Sequence, residues 1–256
     1  QALCGIDAVF APDLQALRPH EGQKLSAANI AALLKDSPLI QAGKSEESKR
    51  VQDAYSLRCA PQVTGAVRDT MAHAAHVAQV ELVSAIDNPA VTDDLRVESN
   101  GNFHGAPVAY VLDFLAIAVA DLASMSERRT DRMLDPARSR GLNAFLANDP
   151  GVDSGYMIAQ YTQASIVSEL KRLAVPASAD SIPTSAMQED HVSLGWSAAR
   201  KLRRAVDGLG KVLGVEALTA ARAIDMRGIG ASEPVARVIK LMRESLPEPG
   251  PDSFLA

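Results

Sequence analysis

Aromatic side chains make up only 4% of this 256-residue sequence, and a core built from sheet would normally be rich in them and in β-branched residues. Cysteine is almost missing. Cys4 and Cys59 are too few and too isolated for a disulfide framework or a zinc site, which fits a reducing cytoplasm. Excess positive charge is also lacking. A net charge of −5 removes the global attraction expected of a nucleic-acid partner or an anionic membrane surface. The one basic run, Arg200-Lys201-Leu202-Arg203-Arg204, reads as a solvated helix face. No hydrophobic run reaches the roughly 20 residues of a membrane span. Val108 to Ala120 is interrupted by Asp113 and stopped by Asp121, so it reads as a buried helix. No signal-peptide order is present at the start, and the chain opens on Gln1 rather than methionine, which reads as a fragment or processed product of a longer protein.

What is abundant is alanine, leucine and valine, which supply most of the 47% apolar fraction and favour closely packed helices. A chain of this length buries about three quarters of its unfolded surface. Residues 1–50 read as an irregular lead-in with one short helix, Ser26 serving as its N-cap and Pro38 following its end. The polar stretch Lys44 to Arg50 leads into residues 51–256, read as a central and C-terminal helical bundle. Val63, Val67, Met71, Ala74 and Val77 recur at helical spacing after Pro61, and Asp87-Asn88-Pro89 supplies a turn. Further helices are expected over Pro107 to Leu134, Gly155 to Ala174, a long segment carrying Leu202 to Ala220, and Glu233 to Ser245. The first of these turns charged after Ser126, which predicts a wetter environment there. The fold class is therefore all-α, a long-helix bundle. Helices apolar on several sides need neighbours on each, so a homo-oligomer is expected.

Four segments carry chemistry. Val51 to Gln62 places an amide, a phenol and a guanidinium three residues apart, at Gln52, Tyr55 and Arg58, just ahead of a helix. The others are Gly101-Asn102-Phe103-His104-Gly105-Ala106-Pro107, Ser154-Gly155-Tyr156-Met157-Ile158-Ala159-Gln160, and Pro183 to Ser193 with Gln188 and Glu189. Taken singly, Arg58 could be an ion-pair partner, Tyr55 a turn residue, Gln52 a capping amide and Phe103 a core residue. Their order and spacing together resemble the aromatic amino acid ammonia-lyase family, over roughly Arg18 to Arg227.

That resemblance implies elimination of ammonia from an α-amino acid, through an electrophilic methylidene-imidazolone made from an internal Ala-Ser-Gly tripeptide, within a helical homotetramer. By the same resemblance, Arg58 clamps the substrate carboxylate. A guanidinium does this through two parallel hydrogen bonds that lysine cannot reproduce. Tyr55 and Gln52 line the pocket beside the prosthetic group and the reacting amine, and Phe103 packs beside the electrophile. Glu189 and Met157 resemble the histidine-specific branch, with Gln188 beside Glu189 in the substrate pocket. A carboxylate can accept the imidazole N–H, which a benzene ring lacks. L-histidine is then the substrate and trans-urocanate the product, a step of histidine catabolism.

Departures are Met187 in place of Asn, Asp153 in place of Asn, and Ala54 in place of Pro. A phenylalanine or tyrosine ammonia-lyase, or a related aminomutase, is the alternative within the family, and a non-catalytic helical scaffold is the alternative outside it. No Ala-Ser-Gly run occurs, the nearest being Asp153-Ser154-Gly155 and Gly230-Ala231-Ser232. In the family that tripeptide lies N-terminal to the matched region. The resemblance thus implies a C-terminal portion, inactive alone, whose partner is the N-terminal portion of the same enzyme. His73 and His76, three residues apart, lack an evident third ligand and read as a surface or packed pair, so no essential metal is expected. His104 and His191 lie inside the motifs and read as supporting residues, and His20 as a loop residue.

Overall fold

The computed structural model describes residues 1–45, 50–246 and 250–252; most of the polar stretch from Lys44 to Arg50, and most of the tail after Ser245, lie outside the described residues. The described elements are α1 (Pro12–Ala16), α2 (Glu21–Leu34), α3 (Pro38–Ala42), α4 (Tyr55–Arg58), α5 (Ala60–Leu82), α6 (Ala106–Leu134), α7 (Pro136–Ser139), α8 (Met157–Leu173), α9 (Gly195–Arg227) and α10 (Glu233–Arg243). Two short strands, β1 (Ala90–Val91) and β2 (Val97–Glu98), pair antiparallel between α5 and α6. The all-α reading holds apart from this small ribbon.

The long helices follow their apolar periodicity. Pro61 stands in the first turn of α5 and Pro107 in that of α6, where a missing N–H carries no penalty. Gly228, at φ +67°, ends α9 in the left-handed conformation that glycine adopts without Cβ strain. The centre is α6, against which α5, α8 and α9 pack. Val119, Ala120 and Ala123 of α6 meet Val167 and Leu170 of α8 and Ala205 and Val212 of α9 in one apolar cluster. A second cluster, at the far end of α6, joins Met133 and Leu134 to Leu3, Leu39, Leu146 and Ile224.

Several expectations need correcting. The lead-in contains three α-helices, and Ser26 is no cap: it sits inside the 14-residue α2, 3% exposed, accepting a hydrogen bond from Arg68 Nε at 3.1 Å. The reason is tertiary. α2 crosses α5 so closely that a Cβ on Gly65 would lie 2.4 Å from the backbone nitrogen of Gln23. Packing, rather than local capping, fixes where α2 begins.

The helix read as wholly buried keeps one face open: Tyr110, Phe114 and Ile117 of α6 are exposed. By length and composition α6 could cross a membrane, yet it is the central packing element here. The stretch after Ser126 is wet only in part: Ser126, Glu127 and Thr130 are buried, whereas Arg128 is exposed. The basic run is solvated only in part. Arg200, Arg203 and Arg204 are exposed, whereas Lys201 reaches inward to pair with the buried carboxylate of Asp113 at 2.7 Å.

Candidate active site

The segment 51–58 is held from behind. Asp53 is buried, accepts the Ile6 N–H at 2.6 Å and pairs with Arg50, fixing the chain just before α4. One helical turn then sorts four side chains by direction. Ser56 turns inward and Leu57 joins the core cluster, while Tyr55 is 69% exposed and Arg58 half-buried. The Arg58 guanidinium carbon lies 4.8 Å from the Tyr55 ring centroid, and Arg58 Nε donates to the Asp53 carbonyl at 3.1 Å. A cation–π contact and one backbone bond thus hold the guanidinium, and its terminal nitrogens make no hydrogen bond to any described residue. Gln52, exposed, lines a cavity of about 520 Å³ whose wall also carries Arg50, Arg132, Arg138 and Arg140.

A residue pair that sequence reading missed supports this turn. Arg129 of α6 forks onto Glu216 of α9, with Nη2 to Oε2 at 2.9 Å, and donates Nη1 to the Ser56 carbonyl at 3.2 Å. Ser126 donates to the same carboxylate at 2.5 Å. The one signal in the sequence is Glu216 itself, a carboxylate set among Val212, Leu213, Val215 and Ala217.

The 154–160 segment docks at the same end of the bundle. Gly155, at φ +57°, leaves room for the Phe145 carbonyl, which a Cβ would approach to 2.5 Å. Tyr156 enters the cluster that contains Leu57, so Met157, half-buried at the start of α8, follows directly from a residue anchored beside the Arg58 turn. Gln160 Nε2 reaches Glu127 at 2.9 Å, two residues from Arg129.

The other two segments meet at the opposite end of α6. Phe103 is 56% exposed in the turn that precedes the helix. His104 stacks on His191 with ring centroids 5.6 Å apart and planes 6° from parallel. A Cβ on Gly105 would lie 3.0 Å from Ser193 Oγ, so the two loops are in close contact. Within the second loop, Ser185, Ala186 and Met187 all have positive φ, at 52°, 53° and 73°. Left-handed backbone costs a residue with a Cβ about 1–2 kcal/mol. Such strain persists where surrounding contacts impose it, and it concentrates at functional sites. Here the Thr184–Glu189 bridge closes the loop, with Thr184 N–H donating to the Glu189 carbonyl at 3.0 Å and the Thr184 hydroxyl bonded to Glu189 Oε2. Gln188 and Glu189 are both exposed.

Asp113 ties this loop to the core. It accepts from the Ser178 N–H at 2.7 Å and from Lys201, whose ammonium also bonds the Val175 carbonyl. Burial alone would raise the Asp113 pKa, but the Lys201 ammonium and the Ser178 N–H outweigh it and hold the carboxyl below its ordinary value.

The candidate residues therefore form two groups within one chain. Gln52, Tyr55, Arg58 and Met157 lie near the C-terminal end of α6; Phe103, Gln188 and Glu189 lie at its N-terminal end. From Ala106 to Arg129 the helix spans roughly 35 Å at 1.5 Å per residue. No single chain brings the two groups together. His73 and His76 are exposed on α5, and among the described residues no cluster of three or more His, Cys, Asp or Glu is placed to hold a metal.

A family model for aromatic amino acid lyases matches residues 1–244. The histidine ammonia-lyase of Streptomyces coelicolor is 65% identical over 258 residues, covering 100% of this chain and 50% of that protein. Among solved structures, the histidine ammonia-lyase from Trypanosoma cruzi matches with a TM-score of 0.88 at 41% identity, over 99% of this chain and 47% of its own. A tyrosine aminomutase from Streptomyces globisporus matches with a TM-score of 0.92 at 38% identity, over 99% and 52%. The chain thus spans about half the length of the relatives it matches.

Proposed function

The chain belongs to the aromatic amino acid lyase family, and from that premise we propose that it is part of a histidine ammonia-lyase, converting L-histidine to trans-urocanate only when joined by the rest of the enzyme. The observation that carries this reading is the half-buried Arg58 guanidinium, held by Tyr55 and Asp53 with its terminal nitrogens bonded to no described residue. That geometry suits a bidentate grip on an α-carboxylate. Holding the carboxylate at two points fixes the amino acid's orientation and removes most of the entropic cost of aligning its reacting carbons.

The remaining residues divide the work. Glu189, with one oxygen occupied by the Thr184 hydroxyl, keeps the other for the ring N–H of the substrate imidazole, and Gln188 beside it offers a neutral amide. Met157, half-buried at the start of α8 and next to the Tyr156 that packs in one cluster with Leu57, offers apolar surface to the substrate. The chain's own sequence holds no Ala-Ser-Gly run, so a methylidene-imidazolone would come from the complementary segment, in our reading the N-terminal portion of the same enzyme. The exposed Tyr55 phenol and Gln52 amide fit such a group as hydrogen-bonding neighbours, and Phe103 offers a ring face. When bound, that group supplies the electron sink that makes the β-proton removable and the ammonium expellable.

Because the two groups of residues stand at opposite ends of α6, a working site takes Arg58 from one copy and Glu189 from another. A homotetramer meets that requirement, and the exposed Tyr110, Phe114 and Ile117 face of α6 gives such copies an apolar surface to share. Cys4 and Cys59 are both free thiols, in keeping with a cytoplasmic enzyme.

The test is urocanate formation, followed by its ultraviolet absorbance, with the chain alone and with an Ala-Ser-Gly-bearing N-terminal segment co-expressed. Activity on L-histidine only in the second case supports the reading. An assembled complex that acts on phenylalanine or tyrosine instead would move the assignment to another branch or to an aminomutase, and silence on all three would leave a scaffold.

A further inference from the structure

The His104–His191 pair has no part in the chemistry assigned above, yet it joins the two turns that carry one end of the site. His104 follows Phe103 directly, and His191 stands two residues after Glu189. Neither turn is regular: the first is a short bend before α6, and the second contains three consecutive residues at positive φ. Loops of this kind are placed by side-chain contacts between them. The imidazoles supply such a contact, 5.6 Å between centroids and 6° between planes. His104 Nε2 is buried without a hydrogen-bond partner among the described residues, so stacking rather than that nitrogen defines the ring's position.

Resting on the reading that Glu189 meets the substrate ring and Phe103 packs beside the prosthetic group, we propose that His104 and His191 are a positioning pair that holds the Phe103 and Glu189 turns in register. The face of the aromatic wall and the carboxylate then move as one unit. Losing the stack lets the Glu189 loop drift from the wall and weakens capture of the substrate ring, while the carboxylate grip at Arg58, on the distant end of α6, is untouched.

Two measurements separate this inference from the assignment beneath it. In the 256-residue chain, His191→Ala is expected to shift the His104 ring-proton resonances downfield, and His191→Phe, which keeps a ring to stack, to retain the upfield position. Unchanged His104 resonances in His191→Ala would overturn the pair whatever the reaction. In the complete enzyme, His191→Ala should raise KM for L-histidine about three- to tenfold, the equivalent of one aromatic pair, with His191→Phe recovering most of the loss. Equal impairment in the alanine and phenylalanine variants, or a fall in kcat with KM unchanged, would overturn it. If the complete wild-type enzyme leaves histidine unaltered, the lyase reading fails, and the resonances still decide whether the pair couples the loops.

Discussion

Glu189 is exposed and bonds within its own loop only to Thr184, so its side chain can be changed with little consequence for packing. Glu189→Gln in the complete enzyme is expected to lower kcat/KM for L-histidine by about 10- to 100-fold, the worth of one hydrogen bond to a charged acceptor. The melting temperature should stay within about 2 °C, since exposed substitutions move stability little. Unchanged kcat/KM would remove Glu189 from the site. At this scale the sequence was readable where the candidate residues are contiguous: Gln52, Tyr55 and Arg58 are three residues apart and fall at and just before the single turn of α4, with Tyr55 exposed and Ser56 buried. Arg129 was not readable, because its partners Ser56 and Glu216 are 73 and 87 residues away and no local pattern marks a guanidinium that is held by a distant carboxylate and carbonyl.

Among the elements, the long helices were legible because their apolar residues repeat with the helical period. α2 was not, since the face it buries is made of Gly22, Gln23, Ser26 and Ala27, small or polar residues that carry no apolar signal. Lys201 shows the same limit, as a cation in a basic run that becomes the partner of a buried acid on α6. Lys201→Met leaves Asp113 buried without its cation and should destabilise the chain by about 3 kcal/mol near neutral pH. The pH dependence has a definite sign. The wild-type Asp113 carboxyl titrates below 3.8, so its contribution is complete well above that pH and is lost as pH falls through the lower folded value. In the variant, burial pushes the carboxyl the other way and acidification relieves the penalty. The stability gap, measured by thermal melts, should therefore narrow as the pH is lowered, and a constant gap would refute the pairing.

For the whole molecule, the helical bundle was foreseeable in outline from its alanine-rich, periodically apolar helices, but the open face of α6 was not, since the apolar run Val108 to Ala120 reads as a buried helix. Less foreseeable was the distribution of chemistry along α6, because the order of motifs in a sequence says nothing about which end of a 29-residue helix each will occupy. That distribution has a genetic consequence. In the proposed site, which draws Arg58 from one copy and Glu189 from another, Arg58→Ala and Glu189→Ala alter opposite poles of the chain, so a mixed assembly would contain some sites with both residues intact. Co-expressing the two, each with its complementary segment, should restore urocanate formation in about one quarter of the sites of a random one-to-one mixture. Two silent alleles would then complement each other in one cell, whereas two alleles altered at the same pole, Tyr55→Ala with Arg58→Ala, would stay silent together.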